Sequence, residues 1–256
     1  MLSEDWAWGR IPQGFKKIAD KAGSRLVVRI DRENSISISL CRQQGEKEHS
    51  PGFEGREKLR AIRLPDGEIA LVRAYRHGGL LRAVTGRLFL GWPPRPFREL
   101  AVTEELRHRG IPTVEVYGAC VTKVWGPLYR GWIVTRQLAG AQDLWMALRT
   151  GFLCELGTGE VLRAVARSVR MLHREGVYHC DLNLKNILVR RERGGVRGYI
   201  IDFDRAKLLL GDLPPPLARR SLRRLLRSIR KLDPERKYFS NSSWDEFVRY
   251  YHGSEI

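Results

Sequence analysis

Apolar and polar positions recur at short, strand-like spacing in the first half of the chain and at helical spacing in the second. Residues 14–22 predict one short helix, and Arg25-Leu26-Val27-Val28-Arg29-Ile30 forms an apolar run. Ser35-Ile36-Ser37-Ile38-Ser39-Leu40 then alternates strictly, the period of a half-buried strand. These two runs predict a hairpin or an N-terminal addition to the sheet that follows. A strand over 58–64, the turn Pro65-Asp66-Gly67-Glu68 and a strand over 69–75 form a second hairpin, since Asp-Gly between such segments favours a tight turn. A helix over 96–109 presents Leu100 and Leu106 and stops at Gly110. Strands follow over 114–121 and 131–137, then a helix over 143–148. Over 160–175, Val161, Leu162, Val165, Val169 and Leu172 recur at helical spacing, and Gly176 ends the helix. Two apolar strands flank a Gly-rich turn at 191–198. After Pro214-Pro215-Pro216, a helix over 217–232 carries one apolar stripe of Leu222, Leu225, Leu226, Ile229 and Leu232. The pattern predicts an α+β chain: an uncertain N-terminal extension (1–50), a sheet-rich lobe (51–138) and a mainly helical lobe (139–256).

Charge adds what patterning does not contain. Lys and Arg number 46 against 29 Asp and Glu, a formal net charge of +17 in 256 residues. A chain this basic expects a polyanion: nucleic acid, an anionic membrane or a phosphorylated substrate. The distribution is uneven. Six arginines and no acid lie between Ile69 and Arg98. Arg219, Arg220, Arg223, Arg224, Arg227, Arg230 and Lys231 flank the apolar stripe, with no acid between Asp212 and Asp233. No apolar run approaches the roughly 18 residues of a membrane span, and Met1 to Trp6 lacks the order of a signal peptide, so cytoplasmic residence is expected. Cys41, Cys120, Cys154 and Cys180 form no C-x-x-C pair, which argues against structural zinc and fits a reducing compartment.

The chemistry concentrates in His179-Cys180-Asp181-Leu182-Asn183-Leu184-Lys185-Asn186, followed sixteen residues after Asn186 by Asp202-Phe203-Asp204. The first block fits H-x-D-L-x-x-x-N, the catalytic loop of protein kinases, and the second stands where D-F-G binds metal. Phosphoryl transfer needs a carboxylate to orient and deprotonate the attacking hydroxyl, plus an amide oxygen and a second carboxylate to hold Mg2+ against the phosphates of ATP. Asp181 fits the base, and Asn186 and Asp202 the metal ligands. Asp204, in place of Gly, offers either a second metal contact or tolerance of an unusual backbone angle. Upstream, Gly55 in Gly52-Phe53-Glu54-Gly55 is a candidate for backbone approach to phosphates, with an ordinary turn as the alternative. Arg73 stands where kinases use the strand Lys, with Arg76 as second choice. Glu99 is the candidate partner of Arg73, with Glu104 and Glu105 as alternatives. Residues 132–140 resemble a kinase hinge, so backbone groups near Arg136 and Leu138 are expected at the adenine. The fold expected is protein-kinase-like and two-lobed, with an antiparallel-sheet N-lobe and a small helical C-lobe. A peptide platform is not expected, because no A-P-E follows and only about 50 residues remain after Asp202.

With these residues in view, the chain resembles the 3-deoxy-D-manno-octulosonic acid (Kdo) kinases of the lipopolysaccharide kinase family. The matching stretches are Arg73-Ala74-Tyr75-Arg76-His77-Gly78-Gly79-Leu80, His179 through Leu188, Ile201-Asp202-Phe203-Asp204-Arg205 and the basic segment 218–231. Asn183 and Asp204 separate this group from ordinary protein kinases. The resemblance implies ATP- and Mg2+-dependent phosphorylation of a Kdo hydroxyl on the lipid A precursor, peripherally at the cytoplasmic face of the inner membrane. That anionic surface and the precursor are then the expected partners, with no specific nucleic acid. It also gives Arg76, Arg219, Arg220, Arg223 and Arg224 a role, because the acceptor carries phosphates and carboxylates. Residues 1–50 align with nothing in the family. Two other readings remain open from the residues: an atypical small protein kinase, and a non-catalytic polyanion-binding module on a kinase fold.

Overall fold

A computed structural model describes residues 9–42, 59–76 and 86–253. The chain divides into two compact units, one of residues 1–105 with 114–137, the other of 106–113 with 138–256. The division between Gln137 and Leu138 lies one residue from the expected lobe boundary.

The first unit is built on a six-stranded antiparallel sheet: β1 (Phe15–Ala19), β2 (Ser24–Arg29), β3 (Arg60–Arg63), β4 (Ile69–Ala74), β5 (Val116–Trp125) and β6 (Leu128–Arg136), in the order β1-β2-β5-β6-β4-β3. Strand periodicity sends successive side chains to opposite faces. Val27 therefore joins Phe97, Leu100, Tyr129 and Ile133 in one core, while Leu26 and Val28 join Ile36, Val72, Tyr117 and Val134 in the other. Phe97 and Leu100 come from helix α2 (Arg95–His108), so that the expected Leu100 face covers one side of the sheet.

Three expectations fail here. Residues 14–22 are not helical: Gly14 (φ +83°) turns the chain into β1, which pairs with β2. The alternating run at 35–40 is not a strand. Ile36 is buried, Ser37 Oγ accepts the amide of Leu40 at 3.2 Å, and helix α1 (Ile38–Arg42) follows. A serine hydroxyl able to bond a nearby N–H offers the backbone a local alternative to the ladder. Nor do the described residues 9–42 of the expected 1–50 extension stand apart. β2 lies between β1 and β5 and is one of the most buried strands.

In the second unit, Asp143 caps α3 (Leu144–Thr150), its carboxylate accepting the amide of Met146 at 2.9 Å. A short helix α4 (Phe152–Leu156) leads to α5 (Thr158–Arg174), which buries Val161, Leu162, Val165, Val169 and Leu172 as the periodicity predicts. β7 (Gln142–Asp143), β9 (Ile187–Glu192) and β10 (Gly195–Ile200) form a three-stranded sheet, and β8 (Val177–Tyr178) pairs with β11 (Lys207–Leu208). Helix α6 (Pro215–Leu232) buries Ser221, Leu225 and Ile229. It ends on buried Asp233, whose carboxylate accepts the amides of Lys237, Tyr238 and Phe239. A final helix α7 (Asn241–His252), which the pattern did not reveal, begins on the cap Ser240 and buries Phe247.

Candidate functional site

In the second unit the loop between β8 and β9 is fixed by its own side chains. His179 is buried; its Nδ1 accepts the amide of Asp181 at 3.1 Å, which leaves Nε2–H to donate to the carbonyl of Ile201 at 3.0 Å. Burial pushes the His179 pKa down, so the ring stays neutral in the tautomer those two bonds require. Its ring also packs on Phe203 at 5.2 Å. The histidine thereby ties the loop to the segment carrying Asp202.

Asn183 and Asn186 converge on one atom. Asn183 Nδ2 donates to the carbonyl of Asp181 at 3.0 Å, and Asn186 Nδ2 donates to the same oxygen at 2.9 Å. Asn183 Oδ1 also accepts the amides of Lys185 (2.9 Å) and Asn186 (3.2 Å), capping the 3-10 turn Leu184–Asn186. The backbone behind Asp181 is thus clamped while its side chain stays exposed. Because the Asn186 amide group is spent on that carbonyl, its oxygen is the end turned away from the clamp. Asp202 adopts φ +69°, the left-handed region that Asp tolerates better than most residues. An amide oxygen and a carboxylate are hard donors and suit a hard cation whose other positions are filled by phosphate and water. Among the described residues no group of three or more His, Cys, Asp or Glu is arranged to hold a metal.

In the first unit Arg73 and Glu99 meet. Arg73 Nη2 donates to both Glu99 oxygens, at 2.6 and 2.7 Å, and the Tyr75 hydroxyl donates to Glu99 Oε2. Arg73 lies near the end of β4 and Tyr75 directly follows the strand, and the Arg73 guanidinium lies 5.0 Å from the Tyr75 ring centroid. Glu99 is 5% exposed and Arg73 25%. Of the alternatives, Glu104 is engaged elsewhere, accepting the amide of Val116 at 3.0 Å and pairing with Arg29 at 3.4 Å. Arg76 is half-buried just beyond β4. Tyr75 was legible as a neighbour of Arg73 by the period of two, but not as a partner of Glu99.

The Arg136 amide donates to the carbonyl of Glu115 and its guanidinium reaches Glu68 and Glu115. The carbonyl of Leu138 accepts the amide of Ala141 at 3.1 Å. Gly55 and the stretch His77-Gly78-Gly79-Leu80 lie outside the described residues. On α6, Arg219, Arg220 and Arg223 are exposed, whereas Arg224 is half-buried with its Nε unpartnered. Ser228 on the same helix accepts the amide of Leu184 at 3.3 Å and so braces the loop from behind, a contact with no sequence signal.

The model of the lipopolysaccharide kinase (Kdo/WaaP) family matches residues 42–251. The 3-deoxy-D-manno-octulosonic acid kinase of Pasteurella multocida (strain Pm70) is 33% identical over 158 residues, 61% of this chain and 63% of the relative. That of Xylella fastidiosa (strain M12) is 33% identical over 196 residues, 75% of this chain and 74% of the relative. The chain therefore spans a little under two thirds of the first relative's length and about three quarters of the second's. A solved structure, WaaP in complex with acyl carrier protein, superposes with a TM-score of 0.55 at 18% identity, covering 94% of this chain and 90% of that one. At that identity the likeness concerns the fold, which is α+β and kinase-like.

Proposed function

The chain belongs to the lipopolysaccharide kinase (Kdo/WaaP) family, and we propose on that footing that it transfers the γ-phosphoryl group of ATP to a hydroxyl of Kdo on the lipid A precursor. The observation that carries the proposal is the clamped loop. An exposed carboxylate, Asp181, stands on a carbonyl held by two asparagines, and one of those, Asn186, has its amide oxygen to spare. In the reaction Asp181 accepts the proton of the acceptor hydroxyl as that oxygen attacks phosphorus. Mg2+, bound by Asn186 Oδ1 and Asp202, would offset the charge of the phosphates. Arg73 contacts the nucleotide phosphates, and Glu99, held in turn by Tyr75, fixes the guanidinium for that contact. The family's sugar-acid acceptor brings carboxylates and phosphates, which suit the arginines of α6. The peripheral position at the inner face of the inner membrane belongs to the same proposal, because a lipid-linked acceptor is met at a membrane surface; among the described residues no helix is long and apolar enough to cross a membrane.

Incubation with Mg-ATP and Kdo-lipid A precursor, followed by mass analysis of the lipid, tests this. The expected result is a gain of one phosphate that Asp181→Ala abolishes while nucleotide binding persists. Full transfer by Asp181→Ala, or phosphate on added protein instead of lipid, would overturn it.

A further inference from the structure

Helix α6 divides its surface sharply. At about 100° per residue, Ser221, Leu225 and Ile229 centre the buried side. Arg219, Arg220, Arg223, Arg227, Arg230 and Lys231 are all exposed and fall within an arc of about 120° on the opposite side. The helix is about 27 Å long at 1.5 Å per residue, so the cations form a straight, nearly flat strip. Mutual repulsion along such a strip is relieved by an extended anion.

Just before this helix the chain projects an apolar tip. The amide of Leu209 donates to the carbonyl of Gly176 at 3.0 Å, and that of Leu213 to the carbonyl of His173 at 2.7 Å. Both ends of the excursion 210–212 are therefore fastened to the C-terminal end of α5. Between them Leu210 is 102% exposed, with Gly211 at φ +69° completing the bend. Leu208, on β11, is also exposed. A leucine held fully in water on an anchored turn gains nothing from the fold itself. Entering an apolar phase would recover the burial of its whole side chain.

We propose that the cationic face of α6 and the Leu210 tip together form a docking surface for an anionic lipid bilayer, the arginines meeting headgroup phosphates and Leu210 entering the acyl boundary. This deepens the proposed function, since a lipid-linked acceptor is presented by such a surface, but the surface is tested without acceptor or ATP. A nucleic acid would engage the cations and leave Leu210 idle, which is why the bilayer is favoured.

The test is co-sedimentation of the full chain with phosphatidylethanolamine vesicles containing phosphatidylglycerol, against phosphatidylcholine vesicles and a single-stranded RNA. Binding is expected to the anionic vesicles alone and to weaken with salt. Leu210→Ser, which changes no charge, should weaken it about tenfold. The double reversal Arg227→Glu/Arg230→Glu should weaken it by about fivefold or more per charge altered. Both sites are exposed, so thermal unfolding should be unaltered. Leu210→Ser should phosphorylate detergent-dispersed acceptor at the parental rate. If no transfer is seen in any variant, the kinase reading fails and the vesicle result stands by itself. Equal binding to both vesicle types, wild-type affinity for Leu210→Ser, or RNA binding that matches or exceeds vesicle binding would each overturn the proposal.

Discussion

At the scale of single residues, Glu99 is constrained by its partners and Asp202 by its backbone. Glu99 is buried and engaged by Arg73 and Tyr75 together. Glu99→Gln leaves the guanidinium without its counter-charge, and breaking such a pair costs about 3 kcal/mol, the low end of the buried range because Arg73 is partly exposed. The expected readout is a lower unfolding midpoint together with weakened nucleotide binding. Tyr75→Phe should cost about 1 kcal/mol and raise the KM for ATP with little change in kcat. Asp202 differs, because its left-handed backbone suits Asn as well. Asp202→Asn should keep stability within about 0.5 kcal/mol while losing transfer, which urea unfolding and the lipid assay measure separately.

His173 gives a pH dependence of definite sign. Burial, helped by nearby His179, pushes its pKa down to about 4. The unfolded chain, with a His pKa of about 6.5, therefore binds more protons than the folded one between those values. Stability from this group is fully present above about pH 6.5 and is lost as pH falls toward 4, amounting to about 2 kcal/mol by pH 5. His179 is depressed in the same direction. Unfolding midpoints should thus fall on acidification from pH 7 to 5, and His173→Gln should flatten that slope. An unchanged slope in the variant would assign the effect elsewhere.

At the scale of elements, the C-terminal end of α5 is a junction. His173 bonds the hydroxyl of Tyr251 on α7 at 2.8 Å, while the His173 and Gly176 carbonyls hold the segment running to α6. Gly176 permits this: it sits at φ +69°, and a Cβ there would press into the carbonyls of Leu209 and Gly211. Gly176→Ala combines a left-handed penalty of about 1–2 kcal/mol with that overlap. It should unfold at markedly lower denaturant than Gly211→Ala, which has the same φ and open space around it. The comparison isolates the close approach from the backbone angle.

At the scale of the whole molecule, the family match begins at residue 42, yet the sheet of the first unit needs residues before it. Leu26, Val27 and Val28 are each 1% exposed or less. Burying three such side chains contributes about 5–9 kcal/mol, comparable with the entire stability of an ordinary domain. A chain beginning at residue 43 should therefore aggregate or bind a hydrophobic dye, as light scattering and fluorescence would report. Charge acts at the same scale. With a net +17, association with any polyanion should fall steeply between low and physiological salt.

By itself the sequence determined what depends on neighbours along the chain. The β3–β4 hairpin followed from Asp66-Gly67, α5 from its apolar spacing, and the loop bearing Asp181 and Asn186 with the later segment bearing Asp202 from a motif whose residue types the chemistry dictates. Even the pairing of Arg73 with Glu99 was legible as a candidate, because a strand cation and a helix carboxylate were both on offer. Tertiary structure decided what depends on partners far away in sequence. Residues 15–19, inside the expected helix, became a strand because β2 was there to accept the ladder, and β2 was held because β5 flanked it. Which of Glu99 and Glu104 met Arg73 depended on which faced β4, and Glu104 was drawn instead to the amide of Val116. The helix over 215–232 was readable, but the exposed Leu210 before it was one leucine in a run of three until two distant carbonyls fixed the chain on either side. Local propensity differs by fractions of a kcal/mol per residue. Burial and pairing over long separations contribute several times that, and where the two conflict the long-range terms prevail.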